Sequence, residues 1–445
     1  MKITSLLLRT LLAALPIAAV KDSQEGGVIV PEELLQHLSD AIVSGNVLRF
    51  YALLGQLVSA EKPRTVEEAV TRLREVSSTS PPSSMEDIVG RISRGLFSGS
   101  LQNLLADAAG LTTGVNSQVN SHPDPPRSIY PSVSSCDAPY SVPEEHLRAA
   151  IYIPETFTNG RKAPVILVPA AGNTGYTTYR SSFIPLLTSE ANTYADPVWL
   201  NLPAYSTGDI QVNAEYVAYA INYMAARTGR NVTIVGHGQG TVTNHWALKY
   251  WPSTRRVTSS EFAVSGDYHG SMAPLPVSLV LSGIGNVPAL IQQWNQSNFI
   301  RTLRSHGGGS AYVPTTSVYT GFGDEIIKPQ SGPGASAVVE DDRGVGVTNV
   351  EVQVACRDRP AGGFYNFASV MLNPLVHALF KDVMTGGGGL PGRLSRLNLD
   401  DVCSTYLAPG LELKDLLMSQ KYLLVDLVSI AMNPNKTLVE PVIKG

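Results

Sequence analysis

From about residue 136 onward, short apolar runs alternate with longer segments of helical period. Ala163-Pro164-Val165-Ile166-Leu167-Val168-Pro169 is such a run, and Asp196–Leu202 and Val232–Val235 are others. Continuous apolar stretches of this length are what a strand buried on both faces requires, as in a parallel sheet. Ser278–Leu281 and Ser317–Thr320 read as later strand segments, and Ala214–Ala226 as a helix with Tyr216, Ala220 and Tyr223 at helical spacing. Strands alternating with helices predict an α/β fold with a mostly parallel, doubly wound sheet. Such sheets bind ligands at the carboxyl ends of their strands.

The texture before residue 120 is different. Pro31-Glu32-Glu33 opens one helix with proline and acids in its first turn, and Thr65-Val66-Glu67-Glu68 is a capping-box sequence for a second, Val66 to Val76. Ser84-Met85-Glu86-Asp87 caps a third, with Ile88, Ile92 and Leu96 on one face. A stretch rich in Ser, Asn and Pro, Thr112 to Pro131, then reads as a linker. The expected division is a leader at 1–20, a helical extension or propeptide at 21–120, a linker at 121–135 and the main domain at 136–445. The leader has Lys2 and Arg9 about a short apolar stretch, then an apolar run ending in small residues near Ala18-Ala19. That is the pattern of a secretory signal, too short to span a membrane.

With 445 residues and a net charge of −4, the chain shows nothing that points to nucleic acid. An oxidising compartment would permit one disulfide among Cys136, Cys356 and Cys403. Glycosylation sequons stand at Asn231, Asn295 and Asn435; Asn231 opens a strand, which leaves Asn295 and Asn435 as the candidates. No two histidines sit at ligand spacing on one helix and no Cys-x-x-Cys occurs, so neither a metal nor a cofactor is expected.

The chemistry centres on Val232-Thr233-Ile234-Val235-Gly236-His237-Gly238-Gln239-Gly240-Thr241. A strand feeds a glycine-framed turn and then a helical pattern, the layout of the nucleophile elbow Gly-x-Ser-x-Gly. The central residue is Gly238, which has no nucleophilic atom. Glycine accepts positive φ freely, so the turn should relax and the fold persist. A phosphate loop would need Gly-Lys-Ser/Thr, and no lysine is present.

Several collinear segments resemble the fungal lipase B family of α/β-hydrolases. They are Leu167-Val168-Pro169-Ala170-Ala171-Gly172-Asn173-Thr174-Gly175, Ile184-Pro185-Leu186, Gln211-Val212-Asn213-Ala214-Glu215-Tyr216, the elbow, Asp267-Tyr268-His269-Gly270, Val313-Pro314-Thr315-Thr316, and Tyr319 through Asp324-Glu325-Ile326-Ile327-Lys328-Pro329-Gln330. The resemblance implies a secreted hydrolase of lipophilic carboxylic esters, with possible contact to a lipid surface. It puts the triad at Gly238, Asp324 and His377, in the order nucleophile, acid, histidine. It puts the oxyanion hole at the backbone of Gln239 and at Ala171, where the family has a threonine and this chain lacks the hydroxyl; Thr174 is the nearby substitute. It also implies substrate contacts at His237 and Asp267 and a disulfide between Cys356 and Cys403, with Cys136 free or paired outside the monomer.

Losing a triad nucleophile costs on the order of 10⁶ in turnover, so serine-dependent hydrolysis is expected to be lost or very weak. Three explanations stand open. The chain is an esterase inactivated by one replacement. Alternatively, its Asp324–His377 pair serves as a general base for a non-hydrolytic cyclisation, elimination or ester exchange. Or it binds a lipophilic ligand without reaction. Met272–Val277 and an apolar helix, Leu411 to Met432, are expected over the mouth of a hydrophobic site.

Overall fold

The computed structural model describes residues 32–46, 49–50, 52–53, 63–78, 114–272, 285–386, 389–431 and 433–444. Seven strands, β1 (Ile151–Tyr152), β2 (Ala163–Val168), β3 (Ala195–Leu200), β4 (Val232–His237), β5 (Thr258–Val264), β6 (Thr315–Tyr319) and β7 (Val347–Glu351), form one sheet. Their order is β1-β3-β2-β4-β5-β6-β7. Only β1 runs antiparallel to its neighbour.

The central strands are buried on both faces, as their unbroken apolar runs require. Val165, Leu167 and Val235 point into one core with Phe262 and Phe380, whereas Ile166, Val168 and Ile234 point into the other with Trp246 and Phe299. The helices that concern the site are α1 (Glu32–Val43), α2 (Val66–Ser78), α3 (Gly175–Tyr179), α4 (Ile210–Thr228), α5 (Gln239–Tyr250), α6 (Pro374–Thr385) and α7 (Leu413–Ala431). Helix α4 runs longer than the apolar pattern suggested because it is capped at both ends. The Asp209 carboxylate accepts from Gln211 N–H, and Gly229 at φ +66° donates its N–H to Ala225.

The extension and the expected linker are not detached from the main domain. Ala69 of α2 is buried in the same core as β2 and β4, and α2 lies against α7. Residues 115–123 are laid along the domain: the Val115 carbonyl accepts from Trp199 Nε1 (2.8 Å) and Asn201 Nδ2 (3.0 Å), and the Pro123 carbonyl from Tyr223 Oη (2.9 Å). Side chains 84 to 100 residues further along the chain therefore hold this Ser/Asn/Pro-rich stretch, which its composition alone could not show. The leader, the helix expected at Ser84 and the strand segment Ser278–Leu281 lie outside the described residues. No described helix is long and apolar enough to cross a membrane.

Cys356 and Cys403 form a disulfide across 47 residues, and Cys136 is a free, exposed thiol. Because β2, β4, β5 and β6 are parallel, the loops after Val168, His237, Val264 and Tyr319 meet at one edge of the sheet.

Candidate active site

At that edge β4 turns sharply into α5. Gly238 sits at the apex with φ +50° and ψ −117°, a conformation that costs a residue with a side chain of order 1–3 kcal/mol. The flanking glycines are there for closeness. A Cβ on Gly240 would stand 2.5 Å from the Val168 carbonyl oxygen, and one on Gly236 2.7 Å from Thr241 N. The elbow geometry is thus intact without a nucleophile. Thr241 does not substitute for it: its Oγ1 donates to the Gly238 carbonyl (2.7 Å) and accepts from Asp267 N–H (3.0 Å).

The space above Gly238 is occupied by Phe367. A Cβ at position 238 would meet Phe367 Cζ at 2.8 Å and Cε2 at 3.0 Å. The ring also packs on His237, with centroids 4.1 Å apart, while His237 Nε2 donates to the Phe367 carbonyl (3.0 Å). The loop carrying Phe367 is docked on the residues after β6. Glu325 accepts from Phe367 N–H (2.9 Å) and from Asn366 Nδ2 (3.1 Å), and Thr320 Oγ1 donates to the Tyr365 carbonyl (2.9 Å). Phe367 therefore stands beside the acid and over the elbow, where a base serving a nucleophile at 238 would have to stand.

Asp324 lies in this loop, fully buried. Its Oδ1 accepts from Ile326 N–H (3.0 Å) and Ile327 N–H (2.8 Å), but Oδ2 has no hydrogen-bond partner. Burial pushes its pKa up from 3.8 to about 6, against the pull of those two amides, the Ser265 hydroxyl and the Lys328 charge. Glu325 is pushed up to about 7 by burial and by the neighbouring Asp324.

The structure does not bring His377 to Asp324. His377 lies on α6, its Nε2 donating to the Met371 carbonyl (2.7 Å) and its ring against Phe183 at 4.7 Å. Phe183 packs on Phe262, which is level with Val235, three residues down β4 from the elbow. Burial lowers the His377 pKa to about 4, so it is a neutral, part-buried histidine packed on an aromatic ring. Position after Cys356 alone could not separate it from Phe367, ten residues earlier.

The remaining expected residues divide. Ala171 lies in the loop after β2, half-buried, and can offer only backbone. Thr174 caps α3, with its Oγ1 engaged by Thr177 N–H and by Asn116, and does not replace the missing hydroxyl. Gln239 keeps its amide at the start of α5; its side chain is held by Ser206 and Gln293. Asp267 is buried behind the elbow, its Oδ1 accepting from Ser336 Oγ (3.3 Å), and it does not line the cavity described next. Its pKa is driven well up by burial. Asn435 is exposed and Asn295 half-buried.

A cavity of about 20 Å³ lies beside the elbow. His237, Phe367 and Met371 form one wall, Asn173 and α3 another, and α7 closes it. Ser419, Tyr422, Leu423 and Asp426 face it from α7 at the i, i+3, i+4, i+7 spacing of one helical face. Asp426 is buried, accepts from Asn173 Nδ2, and has its Oδ1 unpartnered. An aspartate inside the apolar run Leu423–Ala431 was the sequence signal for this position. Among the described residues no group of three or more His, Cys, Asp or Glu side chains is arranged to hold a metal.

No protein-family model matches the chain. Lipase B of Pseudozyma antarctica is 30% identical over 226 residues, which span 50% of this chain and 63% of that protein. The crystal structure of Aspergillus fumigatus lipase B matches with a TM-score of 0.82 at 40% identity, covering 92% of this chain and 99% of that one.

Proposed function

We propose that this chain, which belongs to the fungal lipase B family of α/β-hydrolases, keeps the ester site of a lipase or esterase and has lost serine-dependent turnover. It holds a lipophilic ester or related apolar molecule without cleaving it. The observation that carries this is the Phe367 ring over Gly238. An acyl-enzyme route needs an oxygen at 238 and an imidazole to take its proton, with the acid orienting the imidazole. Gly238 supplies no oxygen, a phenyl ring cannot accept a proton, and Asp324 Oδ2 faces no base. The non-hydrolytic reading built on an Asp324–His377 pair has less support, since His377 Nε2 donates to the Met371 carbonyl and Asp324 Oδ2 has no hydrogen-bond partner. The disulfide supports the secreted reading.

The test is hydrolysis of a short p-nitrophenyl ester by the full chain, Gly238→Ser, and Gly238→Ser/Phe367→His. The parent and the single variant are expected to be silent, and the double variant to turn over. Phosphonate-sensitive turnover by the unaltered chain would overturn the proposal. Strong activity in Gly238→Ser alone would show that Phe367 does not block the site and that a single lesion explains the loss.

A further inference from the structure

Two walls of the cavity are movable parts in the sense of topology: a helix laid across the sheet edge and a loop. Tyr422 and Leu423 present α7 to the cavity, and Phe367 and Met371 present the loop before α6. A reciprocal amide pair locks one wall to the other. Asn366 Nδ2 donates to Gln420 Oε1 (2.7 Å), and Gln420 Nε2 to Asn366 Oδ1 (3.1 Å). The loop is held again from behind, where Tyr406 Oη donates to the Phe364 carbonyl (2.5 Å) and the Tyr365 and Tyr406 rings stack at 4.2 Å.

Helix α2 reaches both walls. Val66, Ala69, Val70, Leu73 and Val76 recur at the spacing of one helical face. Ala69 is fully buried in the core that also takes Leu416 of α7, and Val66 and Val70 pack on that core beside Leu413 and Leu417. Helix α2 lies directly against α7. On its neighbouring face, Arg74 stands close enough to Tyr406 for its charge to act on that phenol. A helix of 13 residues is marginal by itself in water, so α2 keeps its form through this packing. Shedding it would in turn strip apolar cover from the first turns of α7.

We propose that α2 is a fixed brace of the site and not a propeptide to be shed. It sets where α7 stands over the cavity and, through the Gln420–Asn366 pair, where Phe367 stands over the elbow. Ala69 and Val70 are the positioning residues of this brace.

Hydrogen exchange on the full chain, read by mass spectrometry, tests it at the amides of 419–426 and of Phe367. Val70→Ala thins the contact and should quicken these amides about fivefold, whereas Val70→Ile should hold the parent rates. Val257→Ala is the control, a half-buried valine packed on the other core, and should leave α7 as it is. Unchanged α7 exchange in a folded Val70→Ala overturns the inference. So does an equal quickening in Val257→Ala, which would report only a general loss of stability. The mass of the secreted chain should include residues 66–78; a folded form without them, with α7 amides as slow as in the full chain, would overturn the brace as well.

Discussion

Replacing Asp324 by Asn tests directly whether this acid has lost its base. The carboxyl is buried, with two backbone amides on Oδ1 and nothing on Oδ2. Its pKa is raised from 3.8 to about 6, with burial as the largest cause. A raised acid binds its proton more tightly in the folded chain. Its contribution is therefore most favourable below pH 3.8, and stability falls as pH rises through the interval up to about 6. The two values correspond to about 3 kcal/mol. Asparagine keeps the Oδ1 acceptor for Ile326 and Ile327 and does not ionise. Urea unfolding of parent and Asp324→Asn, followed from pH 3.5 to 7, should show the variant gaining about 3 kcal/mol on the parent across that range. Taking the difference cancels the buried acids that Asp324 does not influence; Glu325 and Asp267, each raised in part by Asp324, shift with it. A pH-independent difference would refute the unpaired burial. A difference of opposite sign, with the parent gaining as pH rises, would mean that a cation faces Asp324, as in a working triad.

Two further predictions concern the elbow and the disulfide. Gly238→Ser should lower the unfolding free energy by about 1–3 kcal/mol, from a side chain at φ +50° and a Cβ 2.8 Å from Phe367. Most of the steric share should return in Gly238→Ser/Phe367→Ala, and equal melting temperatures for parent and single variant would show the ring to be movable at no cost. Replacing Cys356 and Cys403 together by Ser should cost about 4 kcal/mol, since the bridge closes a loop of 47 residues; unchanged urea midpoints with and without reductant would contradict this.

The sheet was legible because parallel strands must be apolar on both faces, and Val165–Val168 and Val232–Val235 carry that signature. The elbow was legible because its glycines answer to steric needs, and Gly236 and Gly240 do approach backbone closely. The cavity was not. Its walls come from Asn173, Phe367 and Asp426, which are scattered over 250 residues and meet only through the packing of α7 across the edge of the sheet. Place after Cys356 points to His377, and only the packing separates it from the loop before it: Phe367 covers the elbow, while His377 Nε2 donates to the Met371 carbonyl.

That separation changes how the missing serine is understood. A single inactivating replacement would leave the space above the elbow shaped for an imidazole and the acid partnered. Here the glycine and the phenyl ring fit each other: without a Cβ at 238 the ring can settle on the turn, and with the ring in place a Cβ would clash. Each change removes the use of the other, since a nucleophile without a base is weak and a base without a nucleophile has nothing to deprotonate. Glycine also relieves a strained backbone position. The unpartnered Oδ2 of Asp324 is the remaining cost of this arrangement. The structure therefore argues for a site remodelled around an aromatic floor.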